Sequence, residues 1–98
     1  MNTNELGWIG RYGSKLLALL KEHDPDKYTS RLFEGTLKEY LLAQDEYISG
    51  RIWDLTMELA KQNGVTEEGK RHDQMRWVQE INSFRHMAEE MVFAEYLD

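Results

Sequence analysis

The sequence predicts an all-α protein: a small bundle of about four helices, dominated by one long antiparallel pair at about 37–62 and 73–97. Three observations predict it. Apolar residues recur at steps of three and four along most of the chain, and apolar–polar alternation never persists for more than a few positions. The only proline is Pro25, so long stretches carry no helix breaker. Capping residues and glycines fall where the periodic stretches begin and end. A chain of 98 residues suits one domain, 1–98, with residues 1–6 as a loose polar lead.

The first helix is expected from about Ile9 to His23, with Ile9, Tyr12, Leu16, Leu19 and Leu20 on one face. Gly7, Gly10 and Gly13 weaken its first turns and leave room for a second helix to come close. Asp24-Pro25 stops this helix and starts the next. The residue before proline avoids helical geometry, Asp24 can cap, and Pro25 suits the first helical position. The second helix is short, about Pro25 to Glu34, with Tyr28, Leu32 and Phe33 turned inward and Gly35 as its end.

Thr36 caps a long third helix, Leu37 to Gln62, and Glu39 three residues on makes a capping box. The inward stripe is Leu37, Leu41, Gln44, Ile48, Ile52 (or Arg51), Leu55 and Leu59, flanked by Tyr40, Tyr47 and Trp53. Gly50 in mid-helix costs about 1 kcal/mol against Ala, which points to close packing there. Asn63-Gly64 ends the helix. Thr66-Glu67 opens a short fourth helical region, kept weak by Gly69. Asp73 caps the last helix, which reaches about Leu97. Its stripe is Trp77, Ile81, Phe84, Ala88, Met91 and Glu95, with Val78 and Val92 alongside. The short connection makes the two long helices antiparallel neighbours.

Composition narrows the function. Hydrophobic residues make up 41% of the chain, too rich for a disordered one. Cysteine is absent, which excludes disulfides, thiolate metal sites and cysteine nucleophiles and fits a reducing cytoplasm. No run approaches the ~18 apolar residues of a membrane span, and the first residues lack the order of a signal peptide, so a cytoplasmic protein is expected. The formal net charge is −6. Residues 1–35 sum to zero, 36–64 to −2 and 65–98 to −4, so the acidity grows toward the C-terminus. Such a balance argues against direct binding to nucleic acid and favours basic partners.

The residues for chemistry are sparse, and no enzyme, metal or cofactor is expected. His23, His72 and His86 have no ligand spacing between them; His86 and Glu90 are four apart, but zinc needs three or four protein ligands. His72, Arg76 and Tyr96 bear only a faint likeness to a phosphate-transfer site, with the wrong His–Arg spacing. Gly7-Trp8-Ile9-Gly10 and Gly10-Arg11-Tyr12-Gly13 lack the strand and the Lys-Ser/Thr of a phosphate loop, and read as packing glycines. Asn82, Arg85 and Glu89 line the edge of an apolar stripe and form a structural polar network or a docking surface. The tyrosines and Trp53 could stack on bases, but core or boundary positions explain them without a basic groove.

Several segments, in order, resemble a known family. They are Gly10-Arg11-Tyr12-Gly13, Leu20-Lys21-Glu22-His23 with Pro25 and Tyr28, Leu32 with Gly35, Asp45, and Gly64-Val65-Thr66-Glu67. Asp73-Gln74-Met75, Trp77-Val78, Asn82-Ser83, Arg85 and Ala88-Glu89-Glu90 complete the pattern. From about Gly10 to Leu97 the chain resembles the TnpV-type proteins encoded on bacterial transposons and conjugative elements. The resemblance implies a helical protein of a bacterium, its phage or a mobile element, and implies no mechanism.

The leading functional expectation is a non-catalytic binding protein with an acidic helical face built from Glu80, Glu89, Glu90, Glu95 and Asp98, with Asp45, Glu46 and Asp54. Clustered carboxylates can occupy a groove meant for phosphate and so inhibit or modulate a basic nucleic-acid-handling protein. One form is an anti-CRISPR inhibitor, since CRISPR nucleases hold nucleic acid in a positively charged channel; a transposition or recombination protein is another such partner. A second reading is a transposition accessory protein touching DNA through Arg11, Lys15, Lys21, Lys27 and Arg31, with a helix–turn–helix across Asp24-Pro25. A third is a structural homodimer through Trp53, Met57, Met87 and Phe93.

Overall fold

The computed structural model describes residues 6–97. Five helices follow one another: α1 (Arg11–His23), α2 (Pro25–Glu34), α3 (Leu37–Gln62), α4 (Glu67–His72) and α5 (Gln74–Leu97). There is no strand among the described residues. The all-α expectation holds, and the second and third helices fall on the expected spans.

The stops have local causes. Asp24 caps α2 by accepting the Lys27 N–H at 3.2 Å, with Pro25 at the first helical position. At the far end Gly35 takes φ 75°, the left-handed conformation that glycine adopts without a Cβ clash. There the Gly35 and Thr36 N–H groups close onto the Leu32 and Arg31 carbonyls. Gly64 repeats the device after α3: its φ is 75°, and the Gly64 and Val65 N–H groups close onto the Lys61 and Ala60 carbonyls. Thr66 and Asp73 cap α4 and α5 through the Gly69 and Arg76 N–H groups.

One expected cap is absent. Thr36 and Glu39 do not form a capping box, because the Thr36 N–H is already bonded to Arg31 and the hydroxyl turns to Glu34 at 3.5 Å.

The chain divides into two compact units, Met1–Ser49 and Gly50–Asp98, and α3 runs through the boundary. The first unit buries Ile9, Tyr12, Leu16, Leu17, Leu20, Leu37, Leu41 and Ile48. Phe33, expected inward, is 87% exposed: Tyr28 and Leu32, four apart, take the inward stripe of α2, and Phe33 is one step past it.

The second unit buries Ile52, Thr56, Ala60, Ala88, Val92 and Phe93. Here α3 and α5 are antiparallel: Arg51 meets Glu95, and one to two turns on Leu55 and Leu59 share a cleft with Met91. Thr56 sits in the core because its hydroxyl is satisfied locally, donating to the Ile52 carbonyl at 2.6 Å. The buried centre of α5 is Ala88 and Val92, which leaves Met91 on the flank at 50% exposure and not in the core as expected. Phe93, assigned to an outer surface, is 4% exposed. Gly50 was expected at a close contact; a Cβ there would meet nothing within 4 Å, because Gly50 points away from the buried Ile48 and Ile52 faces.

Candidate protein-docking surface

The expected acidic residues divide sharply by what they already hold. Asp45 is structural. α1 begins at Gly10 with no side-chain cap of its own. The Asp45 carboxylate, reaching from α3, accepts the Tyr12 and Gly13 N–H groups at 2.8 and 3.0 Å. A carboxylate at the positive end of a helix satisfies donors that have no partner inside the helix. The two glycines make room for it: a Cβ on Gly10 would overlap the Asp45 carboxylate, and one on Gly13 would lie 3.1 Å from the Leu41 carbonyl oxygen. Gly10-Arg11-Tyr12-Gly13 and Asp45 are therefore one tertiary helix cap.

Glu80, Glu89 and Glu95 are held in ion pairs within the second unit. Glu80 accepts the Arg76 Nε–H at 2.8 Å, and this hydrogen bond, with the Glu80 charge behind it, raises the Arg76 pKa. Glu89 lies 3.7 Å from Arg85 and 3.9 Å from the His86 ring. Glu95 accepts from Arg51 at 2.6 Å. Asp98 lies outside the described residues. Of the expected face, Glu46, Asp54 and Glu90 remain exposed, with no ion pair among the described residues. The expected strip of free carboxylates is thus reduced to these, because half of its members are engaged within the fold.

In the polar row of α5, Arg85 and Glu89 pair, but Asn82 is exposed and takes no part. The Arg85 Nε is buried without a hydrogen-bond partner, since 3.7 Å is too long for one. His86 faces Glu89 and not Glu90. No group of three metal-ligating side chains exists among the described residues.

The expected DNA-contacting cations are mostly drawn onto tyrosine rings. Lys21 lies over Tyr28 at 5.3 Å, Lys27 and Arg31 over Tyr40 at 5.1 and 3.8 Å, and Arg11 over Tyr12 at 5.6 Å. Lys15 is exposed on α1. Lys27 and Arg31 share one ring, and these contacts join α2 to α1 and to α3 within the first unit.

Several open concavities lie in the second unit, and two of them bear on the candidate surface. One, of about 310 Å³, lies where Asn63, Thr66, His72, Asp73, Arg76 and Trp77 converge. Its charged groups are already committed: Asp73 caps α5, and Arg76 is bonded to Glu80. The other is a cleft of about 160 Å³ along the α3–α5 seam, lined by Leu55, Glu58, Leu59, Gln62 and Met91. Met87, one turn before Met91 on the same flank, is 47% exposed. Glu58 was not among the expected site residues; its signal was its place one turn after Asp54 on the same face of α3.

The family model described as "Transposon-encoded protein TnpV" matches residues 1–97. The chain belongs to the TnpV family. Membership of the TnpV family makes this a mobile-element protein, as the resemblance implied. No curated protein and no solved structure matches the chain. Among the described residues of this TnpV chain, no helix is long and apolar enough to cross a membrane.

Proposed function

We propose that this TnpV-family chain is a non-catalytic binding protein whose partner is a basic protein that handles nucleic acid. The observation that carries the reading is the α3–α5 cleft of the second unit, where half-exposed Met91 shares a lining with the exposed carboxylate of Glu58, while Met87, Asp54 and Glu90 on the same two helices are exposed as well. Exposed apolar side chains supply area to bury, and a carboxylate rim selects a basic surface and speeds encounter. The net charge of −6 acts in the same direction. A transposase or recombinase of the mobile element fits this class of partner; so does a CRISPR nuclease, through its positively charged channel.

The test is affinity capture of the wild-type chain and of an Asp54→Asn/Glu58→Gln/Glu90→Gln variant from a lysate of cells carrying a mobile element. Captured basic nucleic-acid-binding proteins should be displaced by duplex DNA or by salt, and should be depleted roughly tenfold with the variant, the effect of about 1.4 kcal/mol. Capture that is indifferent to both DNA and the substitutions removes the reading.

The placing of Lys27 and Arg31 together over Tyr40, with Lys21 over Tyr28, favours a second reading, contact with DNA through the first unit. A gel shift with duplex DNA at low salt, repeated with Lys21→Glu/Lys27→Glu, separates the two.

A further inference from the structure

Taking the protein-binding reading above as its basis, we propose that the α3–α5 seam of the second unit is a docking groove for one basic, amphipathic helix of the partner. The groove has two apolar walls of helical pitch. Leu55 and Leu59 stand four apart on α3, and Met87 and Met91 four apart on α5, with the cleft of about 160 Å³ between Leu55, Leu59 and Met91. Ridges spaced in this way accept the side-chain ridge of a third helix. An extended peptide would instead bring unpaired backbone N–H and C=O groups onto a seam that offers no strand edge. Along α3, the seam from Arg51 to Gln62 is eleven residue steps, about 16 Å, which matches a partner helix of three turns.

The charges around the seam select the occupant. Arg51 at one end is neutralised by Glu95, which leaves Lys61 as the exposed cation on this stretch of α3 against three carboxylates. Asp54 and Glu58 on α3 and Glu90 on α5 are exposed and make no ion pair among the described residues. The rim is therefore electronegative over an apolar floor, which complements a helix with one leucine-rich face and lysine or arginine beside it. Methionine suits such a wall, because its flexible, polarisable side chain fits ligand faces of varied shape.

The experiment is isothermal titration of the full chain with two synthetic peptides of fourteen residues and identical leucine–lysine composition. One places leucine at i, i+3, i+4 and i+7; the other is scrambled. The ordered peptide should bind at least roughly tenfold more tightly than the scrambled one. Met87→Glu/Met91→Glu should lose that preference. Glu58→Lys/Glu90→Lys, confined to exposed residues, should weaken the ordered peptide by a similar factor, and circular dichroism should show both variants folded. Equal binding of the two peptides, no binding of either, or wild-type affinity in both variants would each overturn the groove. If capture of basic proteins survives Met87→Glu/Met91→Glu but is lost in the carboxylate-neutralised variant, the groove falls and the wider reading stands. If capture also survives that neutralisation, both fall.

Discussion

Asp45 is the residue on which the first unit most depends. It holds two N–H groups of a helix that has no cap of its own. Asp45→Ala should destabilise the protein by about 2 kcal/mol, because cap loss and unsatisfied donors act together. Asp45→Asn, which keeps one acceptor, should cost about half as much; urea titration of both variants measures the difference. The sequence displayed both halves of this device, glycines three apart and a carboxylate some thirty residues later, but not their meeting. Helical spacing reports which residues share a face, and it is silent on which distant side chain reaches a helix end. The same blindness explains the acidic surface. Counting carboxylates located the charge, whereas the engagement of Glu95 by Arg51 depends on two positions 44 residues apart. Thr56 was missed because a hydroxyl that satisfies itself within its own helix looks polar on any pattern of apolar residues.

Glycine separates the elements that are pinned from those that are not. Gly35 and Gly64 end helices at φ 75°. Alanine at either should cost about 1 kcal/mol. Gly50 is exposed, inside α3, and faces open space. Gly50→Ala should therefore stabilise the chain by about 1 kcal/mol, seen as a higher midpoint in thermal unfolding. α2 is the weakest of the longer elements: it buries no residue fully, and the contacts of Lys21 with Tyr28 and of Lys27 and Arg31 with Tyr40 help to fasten it. Its amides should exchange with solvent well before those of α3, and Arg31→Ala should widen that gap, since one such cation–ring contact is worth about 0.5–1 kcal/mol. Helix boundaries were legible because caps and breakers act over four residues. The inward faces were less so: in α5, apolar residues surround most of the helix, and Phe93 and Met91 exchanged their expected places.

For the whole molecule, charge and exposed apolar area set behaviour. The first unit sums to −2 and the second to −4, counted over residues 1–49 and 50–98. Association with a basic partner should weaken steeply between low and physiological salt, mostly through a slower on-rate; stopped-flow mixing at two ionic strengths measures it. The homodimer reading keeps part of its basis, since Trp53 and Met87 are exposed, but loses Phe93 to the core. Light scattering across concentration tests it: a constant monomer mass reserves those side chains for another partner, and a mass that doubles assigns them to a second copy. Fold class and membership of the TnpV family could be read from the chain itself, because periodicity and ordered motifs are properties of sequence. The docking seam could not, because it exists only where two helices, far apart in the chain, lie side by side.

The cap on α1 also imposes an order of events during synthesis. The N–H groups of Tyr12 and Gly13 leave the ribosome more than thirty residues ahead of the carboxylate that accepts them. Until α3 has been translated past Asp45, the first turn of α1 must face water or fray. A nascent chain arrested before Asp45 has cleared the ribosome should therefore hold the start of α1 open to protease, and a chain long enough to free Asp45 should close it.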